Sequence, residues 1–344
     1  MDWFERLTGF REATGEAGYE QTRRRLEVDG RHLKSRVNGR RHGIGQLELV
    51  SLATLRTRAK TSGPVAGDRQ VRIVQGDVRQ FHQQPEYSGA LFQVASQFNL
   101  LEMVSETVTP EDGVTGYQHD LTQGPACAIA AGAATVYRNY FAPVGDRLGQ
   151  TRGRQLDGFA DLGAALAQAI GQPAASLWTM LNGYAMFTRD GVDAISQHLD
   201  TLGPHALEAL RQRLRIGVHW DVEVTDAEAS PGPQVSQAFC SALPVSYNNR
   251  AGTRGANWAP LAGLVLEAAY EATMWASVIN AQRGASRTVL LTMLGGGAFG
   301  NDEAWIRTAM RRAIGEVEGF GLDIALVSYG PPSADLRRWV QSLA

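Results

Sequence analysis

Cysteine and lysine are both scarce in this sequence. Cys127 and Cys240 are the only cysteines, too few for a disulfide framework or a zinc cluster, so we expect both to be buried as small hydrophobic side chains. Lys34 and Lys60 are the only lysines, and arginine carries nearly all the positive charge. A formal net charge of −2 argues against a general nucleic-acid-binding protein.

Long apolar runs are also missing. No run approaches the roughly 18 to 20 residues that a helix needs to span a bilayer, and residues 1–6 do not follow the plan of a signal peptide. The 44% hydrophobic and 20% charged residues are typical of a globular protein. We therefore expect a cytoplasmic protein with no membrane partner and no specific nucleic-acid partner.

The stretch 287–301 predicts a buried strand that runs directly into an anion-binding loop. Val289, Leu290 and Leu291 form a short apolar run, typical of a parallel strand covered on both faces. Glycines at positions 295–297 and 300 allow the backbone to approach a ligand closely, and backbone N–H groups at a strand-to-helix corner suit a diphosphate. Phe299 lies inside this glycine run, where a purely structural turn needs no aromatic ring.

Apolar strands and amphipathic helices alternate through much of the remaining chain. Helices between apolar strands imply right-handed crossovers and a covered sheet, so the fold class is predicted to be α/β. Strands are predicted at 71–78, 90–99, 238–245 and 322–330, and helices at 261–283 and 304–317.

Two regions fall outside this alternation. Residues 1–65 combine a polar helical start with an arginine-rich segment that contains the hairpin turn signals Asp29-Gly30 and Asn38-Gly39. Residues 142–233 are predicted to be a largely helical insertion. We expect residues 1–65 to form a basic N-terminal extension, and residues 66–344 to form one α/β domain that carries the insertion.

Four segments of the sequence resemble motifs of the macrodomain, the ADP-ribose-binding α/β/α fold. Gln75-Gly-Asp-Val78 resembles the family's Gly-Asp-Ile corner, and the segment 94–99 resembles its Asn-Ala-Ala-Asn strand end. The segment 112–117 resembles the first glycine loop, and the segment 291–301 resembles the second, Ser-Thr-Gly-Val-Tyr-Gly. The resemblance implies a three-layer α/β/α mixed sheet in an enlarged, atypical member of the family.

The same resemblance implies a site for ADP-ribose. Asp77 would accept a hydrogen bond from the adenine amino group, Asn99 would lie near the distal ribose, and both glycine loops would hold the diphosphate through backbone N–H groups. The ligand-binding residues are therefore expected to be Asp77, Val78, Asn99, Gly113, Val114, Thr115, Gly116, Thr122, Gln123, Gly124, Gly295, Gly296, Gly297, Ala298, Phe299, Gly300 and Asn301.

A catalytic carboxylate is expected in or after the first loop. In hydrolytic macrodomains that carry an Asp in this loop, the resemblance places that residue at Thr115, whose hydroxyl is not a comparable base. The carboxylates nearby are Glu111, Asp112 and Asp120. Asp120 is favoured because it lies beyond the glycines of the loop and precedes small and polar residues suited to surround a sugar. A turn or helix-cap role is the structural alternative for each of the three.

Three functions are compatible with these features. The resemblance implies a hydrolase that binds ADP-ribose, or an ADP-ribosylated protein, and cleaves the bond at the anomeric carbon of the distal ribose without a cofactor or a metal. The alternative is a non-catalytic module that senses ADP-ribose. A nicotinamide-dependent oxidoreductase is disfavoured, because no Gly-x-Gly-x-x-Gly motif opens the first strand-helix unit.

Overall fold

The computed structural model describes residues 1–343, with fourteen helices and fourteen strands. The helices are α1 Trp3–Thr8, α2 Gly15–Arg24, α3 Leu52–Thr61, α4 Val78–Phe81, α5 Gln123–Ala130, α6 Gly132–Tyr140, α7 Ala160–Ile170, α8 Ala174–Leu177, α9 Arg189–Asp200, α10 Pro204–Arg211, α11 Val245–Asn248, α12 Ala259–Gln282, α13 Glu303–Glu316 and α14 Ala334–Gln341. The strands are β1 Leu26–Asp29, β2 His32–Ser35, β3 Arg41–Gly43, β4 Gln46–Ser51, β5 Gln70–Gln75, β6 Leu91–Ala95, β7 Pro143–Val144, β8 Arg147–Leu148, β9 Trp178–Leu181, β10 Tyr184–Phe187, β11 Arg215–Glu223, β12 Gln234–Cys240, β13 Thr288–Leu291 and β14 Asp323–Ser328.

Seven strands form one mixed sheet in the order β4-β11-β12-β6-β13-β14-β5. The five strands from β12 to β5 are parallel to their neighbours, whereas β11 is antiparallel to both β12 and β4. The glycine-rich loop follows β13, between β6 and β14. It therefore lies at the carboxyl edge of the parallel strands, where open α/β sheets bind ligands.

Helices cover both faces of this sheet. Val289 and Leu291 of β13 pack in the same hydrophobic cluster as residues of α3, α12 and α13, whereas Leu290 packs in a cluster with residues of α5 and α6. Side chains alternate between the two faces because the repeat of a strand is two residues. The predicted α/β fold with three α/β/α layers is confirmed. Both cysteines are free and buried, as expected from the sequence.

The predicted strands and helices overlap those of the structure. The predictions at 71–78, 90–99, 238–245 and 322–330 correspond to β5, β6, β12 and β14, and the two predicted helices correspond to α12 and α13. Asp302 begins α13 because its side chain accepts a hydrogen bond from the Ala304 N–H at 2.7 Å. Apolar runs and caps are local signals, which explains this agreement.

Residues on both sides of position 65 contribute to the sheet. The hairpin signals near Gly30 and Gly39 correspond to turns of a small antiparallel sheet, β1-β2-β3, and both glycines have positive φ. The next strand, β4, is an edge strand of the main sheet. The region 142–233 contains α7–α10, but also the β9-β10 hairpin and the sheet strand β11. A division of the chain at residues 65 and 66 stays a prediction.

Helix α12 is the central helix of one face, and 17 of its 24 residues are buried. One of them, Glu271, is a carboxylate whose side chain has no exposed surface.

In the part of the chain that the structure describes, no helix combines the length and the apolar character needed to cross a membrane.

An ion cluster around Glu271 joins α12 to three other helices. The carboxylate accepts hydrogen bonds from Arg56 of α3, from Arg312 of α13 and from the indole N–H of Trp275, the last at 3.0 Å. Both arginines also contact Glu208 of α10. A carboxylate buried in a core is tolerated when it is paired and hydrogen-bonded, so this cluster fixes how the helices pack.

Replacement of Glu271 by Gln is expected to lower the free energy of unfolding by about 3–5 kcal/mol, because it removes the buried counter-charge of two arginines. Glu316→Gln is the matched control: Glu316 is a partly exposed partner of Arg312 at 3.4 Å, and its loss should cost less than about 1 kcal/mol. Urea denaturation followed by circular dichroism measures both values. If both variants lost the same small amount of free energy of unfolding, the cluster would not stabilise the packing of these helices.

Candidate functional site

Two adjoining clefts open at the carboxyl edge of the parallel strands. The glycine-loop cleft lies between the ends of β6 and β13, the start of α5 and the loop 292–299. The Asp77 cleft lies between the ends of β5 and β14 and the segment 117–123. Asp120, Thr122, Gln123 and Thr292 line both clefts. One elongated ligand can therefore extend from one cleft into the other.

The loop after β13 exposes a set of backbone donors. Gly295 and Gly300 have φ of +76° and +69°, and a Cβ at Gly300 would clash with Ser246 Oγ. In the part of the chain that the structure describes, the N–H groups of Gly297, Ala298 and Phe299 have no hydrogen-bond partner. Successive free N–H groups in a glycine-rich turn form an anion site. Gly295, Gly297, Ala298 and Phe299 all line the glycine-loop cleft.

Asn301 supports this loop from behind. Its buried side chain donates to Leu243 O at 2.9 Å and to Gly295 O at 3.3 Å, and its backbone N–H also donates to Gly295 O. Asn301 does not line either cleft, and neither do Gly296 and Gly300. These three residues shape the loop in this structure, and their contact with ligand stays a prediction.

The strands β6 and β13 separate beside the cleft, and two glutamine side chains fill the gap. The strands pair only at Leu91 and Phe92 of β6. Beyond these residues Gln123 of α5 accepts from Ala95 N–H at 2.9 Å and donates to the Gln93 carbonyl at 2.8 Å. The Gln93 side chain accepts in turn from Thr292 N–H of the β13 end at 3.2 Å. Backbone groups that the diverging strands expose are thus satisfied.

The start of α5 forms the wall shared by both clefts. The side chain of Asp120 is half-buried and accepts from Thr122 N–H at 2.9 Å. A Cβ at Gly124 would clash with the Ala95 carbonyl, so only glycine allows α5 to approach β6 this closely. Of the predicted site residues, Asp120, Thr122, Gln123 and Gly124 all line the glycine-loop cleft.

Asp77 and Val78 line the second cleft, where the resemblance implies an adenine. Asp77 caps α4, since one carboxylate oxygen accepts from Arg79 N–H at 2.8 Å. The same cleft is lined by Tyr329 and Leu121, which are 82% and 96% exposed. Large exposed apolar side chains beside a cleft favour a flat ligand that covers them. The sequence did not single out these two residues, because their exposure depends on the tertiary fold.

An aromatic cluster lines the glycine-loop cleft around Phe299. The Phe299 ring lies 5.5 Å from the ring of Tyr184 and 5.7 Å from that of Tyr247. Tyr184 belongs to β10 in the insertion, and its hydroxyl donates to the Met103 carbonyl at 2.6 Å. The insertion therefore supplies part of the cleft wall. The aromatic-rich run 178–187 is the only sequence signal for Tyr184, and it is equally typical of a core strand.

Residues 113–116 of the first glycine loop lie outside both clefts, whereas Tyr117 at its end lines the Asp77 cleft. The Glu12 carboxylate accepts from Val114 N–H at 2.9 Å and from Thr115 N–H at 2.6 Å, and a Cβ at Gly113 would clash with it. The backbone donors predicted to hold a diphosphate are thus bound to an internal carboxylate. In this structure the loop anchors the N-terminal segment, and a contact with ligand stays a prediction for Gly113, Val114, Thr115 and Gly116.

Asn99 has a structural role in the protein as it is described here. Its side chain is fully buried, accepts from Leu101 N–H at 3.0 Å and donates to Gln155 at 2.8 Å. It lies outside both clefts. The Asn99 side chain turns toward Gln155 of the insertion, whose position the sequence does not specify, and its contact with a ribose stays a prediction.

Two of the three predicted catalytic carboxylates hold loops together. Glu111 accepts from Arg152 N–H at 2.9 Å. Asp112 completes a capping box with Thr109, whose N–H and hydroxyl donate to it at 2.8 and 2.9 Å. Neither lines a cleft, so the contacts seen here favour the structural alternative, and a catalytic role of Glu111 or Asp112 stays a prediction. Asp120 is the one predicted catalytic residue among the described cleft residues.

Glu102 is a cleft carboxyl that the sequence analysis missed. It is buried at the base of the glycine-loop cleft, and Arg138 Nη2 lies 3.1 and 3.2 Å from its two oxygens. Burial raises the pKa of Glu102 to about 7, although the Arg138 guanidinium acts in the opposite direction. A single acid within the apolar run 100–104 carries no local sign of such a site.

Within residues 1–343 no group of three or more His, Cys, Asp or Glu side chains is arranged to hold a metal.

The Glu12 contact predicts a pH-dependent stability. Burial raises the pKa of Glu12 above its ordinary value of 4.5, so the folded protein binds this proton more tightly than the unfolded chain does. The protonated Glu12 side chain therefore contributes to the stability of the folded protein. This contribution to stability is complete below pH 4.5 and is lost as the pH rises through the raised pKa. The stability difference between the wild type and Glu12→Gln should therefore be larger, in favour of the wild type, at low pH than at high pH.

Urea denaturation of both proteins across the acidic and neutral range measures this difference. Glu16→Gln, at an exposed position of α2, is the control and should show no such trend. A difference between the wild type and Glu12→Gln that stays constant with pH would contradict the raised pKa.

No protein-family model and no curated protein sequence matches the chain. Several solved structures of poly(ADP-ribose) glycohydrolase are similar to it. The enzyme from Deinococcus radiodurans in complex with ADP-ribose has a TM-score of 0.44 and 11% identity, over 87% of this chain and 95% of that one. The enzyme from Thermomonospora curvata has a TM-score of 0.44 and 12% identity, over 95% and 97%. The latter enzyme bound to the inhibitor ADP-HPD has a TM-score of 0.42 and 12% identity, over 95% and 96%. These values do not assign the chain to a family.

Proposed function

We propose that the protein binds ADP-ribose across the two clefts and hydrolyses the bond at the anomeric carbon of the distal ribose. The observation that carries this proposal is the continuity of the clefts through Asp120, Thr122, Gln123 and Thr292. Along this path an exposed aromatic side chain is followed by free backbone donors and then by an aromatic wall. A ligand made of a base, a diphosphate and a ribose matches that order.

The adenine is proposed to occupy the Asp77 cleft. One carboxylate oxygen of Asp77 accepts from Arg79 N–H, which leaves the second oxygen for the adenine amino group. The exposed side chains of Tyr329 and Leu121 would pack against the base and lose their contact with water. This arrangement gives a physical reason for two large apolar groups at the surface of one cleft.

The diphosphate is proposed to lie between the start of α5 and the loop after β13. At the start of α5 the N–H groups of Gln123 and Gly124 are the free ones among the described contacts, since Pro125 has no N–H, and they carry the positive end of the helix dipole. Across the cleft stand the free N–H groups of Gly297, Ala298 and Phe299. Donors on two sides would hold an anion without a lysine or a metal.

Two carboxyl groups would reach the distal ribose in the glycine-loop cleft. Asp120 is suited to activate water or to stabilise the oxocarbenium-like charge that develops at the anomeric carbon. Glu102, whose pKa is raised to about 7, is suited to donate a proton to the leaving group near neutral pH. General acid–base action of this kind contributes about 10²–10⁴ in rate.

A non-catalytic ADP-ribose-binding module is the second candidate. It is favoured by the contacts of the same two carboxyl groups, since Glu102 is paired with Arg138 and Asp120 accepts from Thr122 N–H. If both contacts persist when ligand binds, neither group is available for proton transfer. Calorimetric binding of ADP-ribose, with no release of product from ADP-ribosylated proteins of defined linkage, would favour the module over the hydrolase.

Asp120→Asn is expected to lower the rate of ADP-ribose release by about 10²–10⁴ while ADP-ribose affinity is retained, because the amide oxygen still accepts from Thr122 N–H but cannot act as a base. Asp112→Asn is the matched control, because it changes a capping residue outside the clefts. It should leave the rate unchanged. Single-turnover release of ADP-ribose from a modified protein measures both. A wild-type rate in Asp120→Asn would remove Asp120 from the mechanism.

The rate should fall about tenfold per pH unit above pH 7 if Glu102 donates a proton, since its pKa is about 7. This decrease in rate at alkaline pH is measured as kcat/KM between about pH 5.5 and pH 9. Glu102→Gln should lose the decrease in rate at alkaline pH together with most of the activity. Glu102→Asp keeps a negative charge beside Arg138 and serves as a control for folding. A rate that does not change across this range would argue against a proton donor at position 102.

A further inference from the structure

We infer that Arg138 is the positioning residue of Glu102, the carboxyl group proposed to donate a proton to the leaving group. Arg138 belongs to α6, its side chain has no exposed surface, and it lines neither of the two clefts. It therefore acts through Glu102, which lines the glycine-loop cleft. The inference rests on the proposed function, and it adds the group that holds the proton donor in place and allows its proton to leave.

Three contacts fix the guanidinium group of Arg138 independently of Glu102. Its Nε–H donates to the Leu100 carbonyl at 3.0 Å, and Nη2 donates to Thr135 Oγ1 at 3.1 Å. The planar group also lies over the Phe239 ring, with 3.9 Å between Cζ and the ring centroid. These partners come from the segment after β6, from α6 and from β12. The positive charge therefore stays at one place when Glu102 gains or loses its proton.

The Glu102 side chain depends on Arg138 for its position. Both carboxyl oxygens accept from the same nitrogen, Arg138 Nη2, at 3.1 and 3.2 Å, and no other cation forms a salt bridge with Glu102 within residues 1–343. On the α5 side the stem of Glu102 packs against Gly124, where a Cβ would stand 3.2 Å from Glu102 Cγ. The Glu102 N–H donates to the Tyr117 hydroxyl at 3.0 Å, which fixes the backbone. Arg138 is therefore the group that determines where the carboxyl lies.

This pair differs in geometry from a structural ion pair on the sheet. Arg72 and Asp323 bond in parallel, Nε to one oxygen at 3.0 Å and Nη2 to the other at 2.9 Å, and such a two-pronged contact binds both oxygens. Arg138 uses its Nε for a backbone carbonyl, and its Nη1 has no hydrogen-bond partner among the described residues, so one nitrogen serves Glu102. A protonated Glu102 can therefore keep one oxygen on Arg138 while its hydroxyl donates to a group in the cleft.

The fixed charge also favours loss of the proton from this buried carboxyl. Transfer breaks the O–H bond of Glu102, passes the proton to the leaving-group oxygen and leaves a carboxylate. Burial raises the pKa of Glu102, whereas the Arg138 guanidinium and the Tyr117 hydroxyl lower it, and the resulting pKa is about 7. Without Arg138 the carboxylate would be buried with no counter-charge, so Glu102 would keep its proton to higher pH.

The other titratable groups near Glu102 do not replace this charge. Tyr117 and Cys127 are both buried, and burial raises the pKa of each, so both are neutral at neutral pH. Asp120 lines the same cleft, and its negative charge would hold the proton on Glu102 rather than favour its release. The pH at which Glu102 loses its proton therefore reports the charge of Arg138.

Arg138→Met tests the inference, because methionine keeps an unbranched side chain and removes the charge. The decrease in kcat/KM at alkaline pH should move upward by at least about one pH unit, kcat at neutral pH should fall about tenfold, and KM should change less than about twofold. Arg138→Lys returns a charge to this position and should reverse most of the shift. Arg72→Met is the matched control: it breaks an ion pair outside the clefts and should leave the profile unchanged. An unshifted profile in Arg138→Met would overturn the inference.

A double-mutant cycle covers the case in which Arg138→Met does not fold. The double variant Arg138→Met, Glu102→Gln leaves no unpaired charge of this pair in the core. If Arg138 acts only through Glu102, the double variant should be as active as Glu102→Gln, to within about twofold in a single-turnover assay. A further loss of about tenfold would show a role of Arg138 apart from Glu102 and would overturn the inference.

A titration without substrate separates the inference from the proposed function. NMR of labelled glutamate carboxyl carbons, with the Glu102 signal assigned by its loss in Glu102→Gln, should give a midpoint of about 7 in the wild type and a higher one in Arg138→Met. If no ADP-ribosylated substrate is cleaved, the proposed function fails, but this difference in midpoint should remain. Equal midpoints in the two proteins would reject Arg138 as the positioning residue, even in an active hydrolase.

Discussion

The separation of β6 from β13 is the constraint on which the cleft depends. Two parallel strands that part inside a sheet expose backbone donors and acceptors, and each such group costs free energy unless a partner replaces the missing strand. Here Gln123 bonds to the β6 backbone and Gln93 to the β13 end. These two side chains keep the strands apart and the space between their ends open. The same contact fixes the start of α5, from which Thr122 and Gly124 reach the cleft.

Charge is distributed unevenly around this opening. Glu271, Glu102 and Glu12 are all withdrawn from bulk water and each has donors aimed at it. Arg250 and Arg254 are exposed at the far side of the glycine-rich loop. Glu271 and Glu12 therefore stabilise packing, Glu102, Asp77 and Asp120 line the clefts, and exposed arginine stands at the margin. The net charge of the chain is slightly negative, so these exposed arginines are a local source of attraction for an anionic ligand.

The order of strands and helices was predictable, because apolar runs, periodicity and glycine-bounded turns are local. The loop after β13 and the position of Asp77 followed from the same signals, since a strand end defines where its next residues lie. The first glycine loop shows where this reasoning stops. Its conformation is local, but the carboxylate that fills it is 102 residues away in sequence. Glu102 and Tyr184 were missed for the same reason, because burial and contact between distant segments give a side chain its chemistry.

The two glycine-rich loops differ in how much order a ligand has to create. Glu12 already occupies the N–H groups of Val114 and Thr115, so that loop has lost its conformational freedom during folding. The loop at Gly297 and Ala298 has no such internal partner among the described residues. Any entropy lost on binding would therefore be concentrated in the loop after β13, whereas the start of α5 across the cleft, held by Gln123, would act as a rigid template. Affinity for an anion should then depend more on the stiffness of the loop after β13 than on the number of donors it presents.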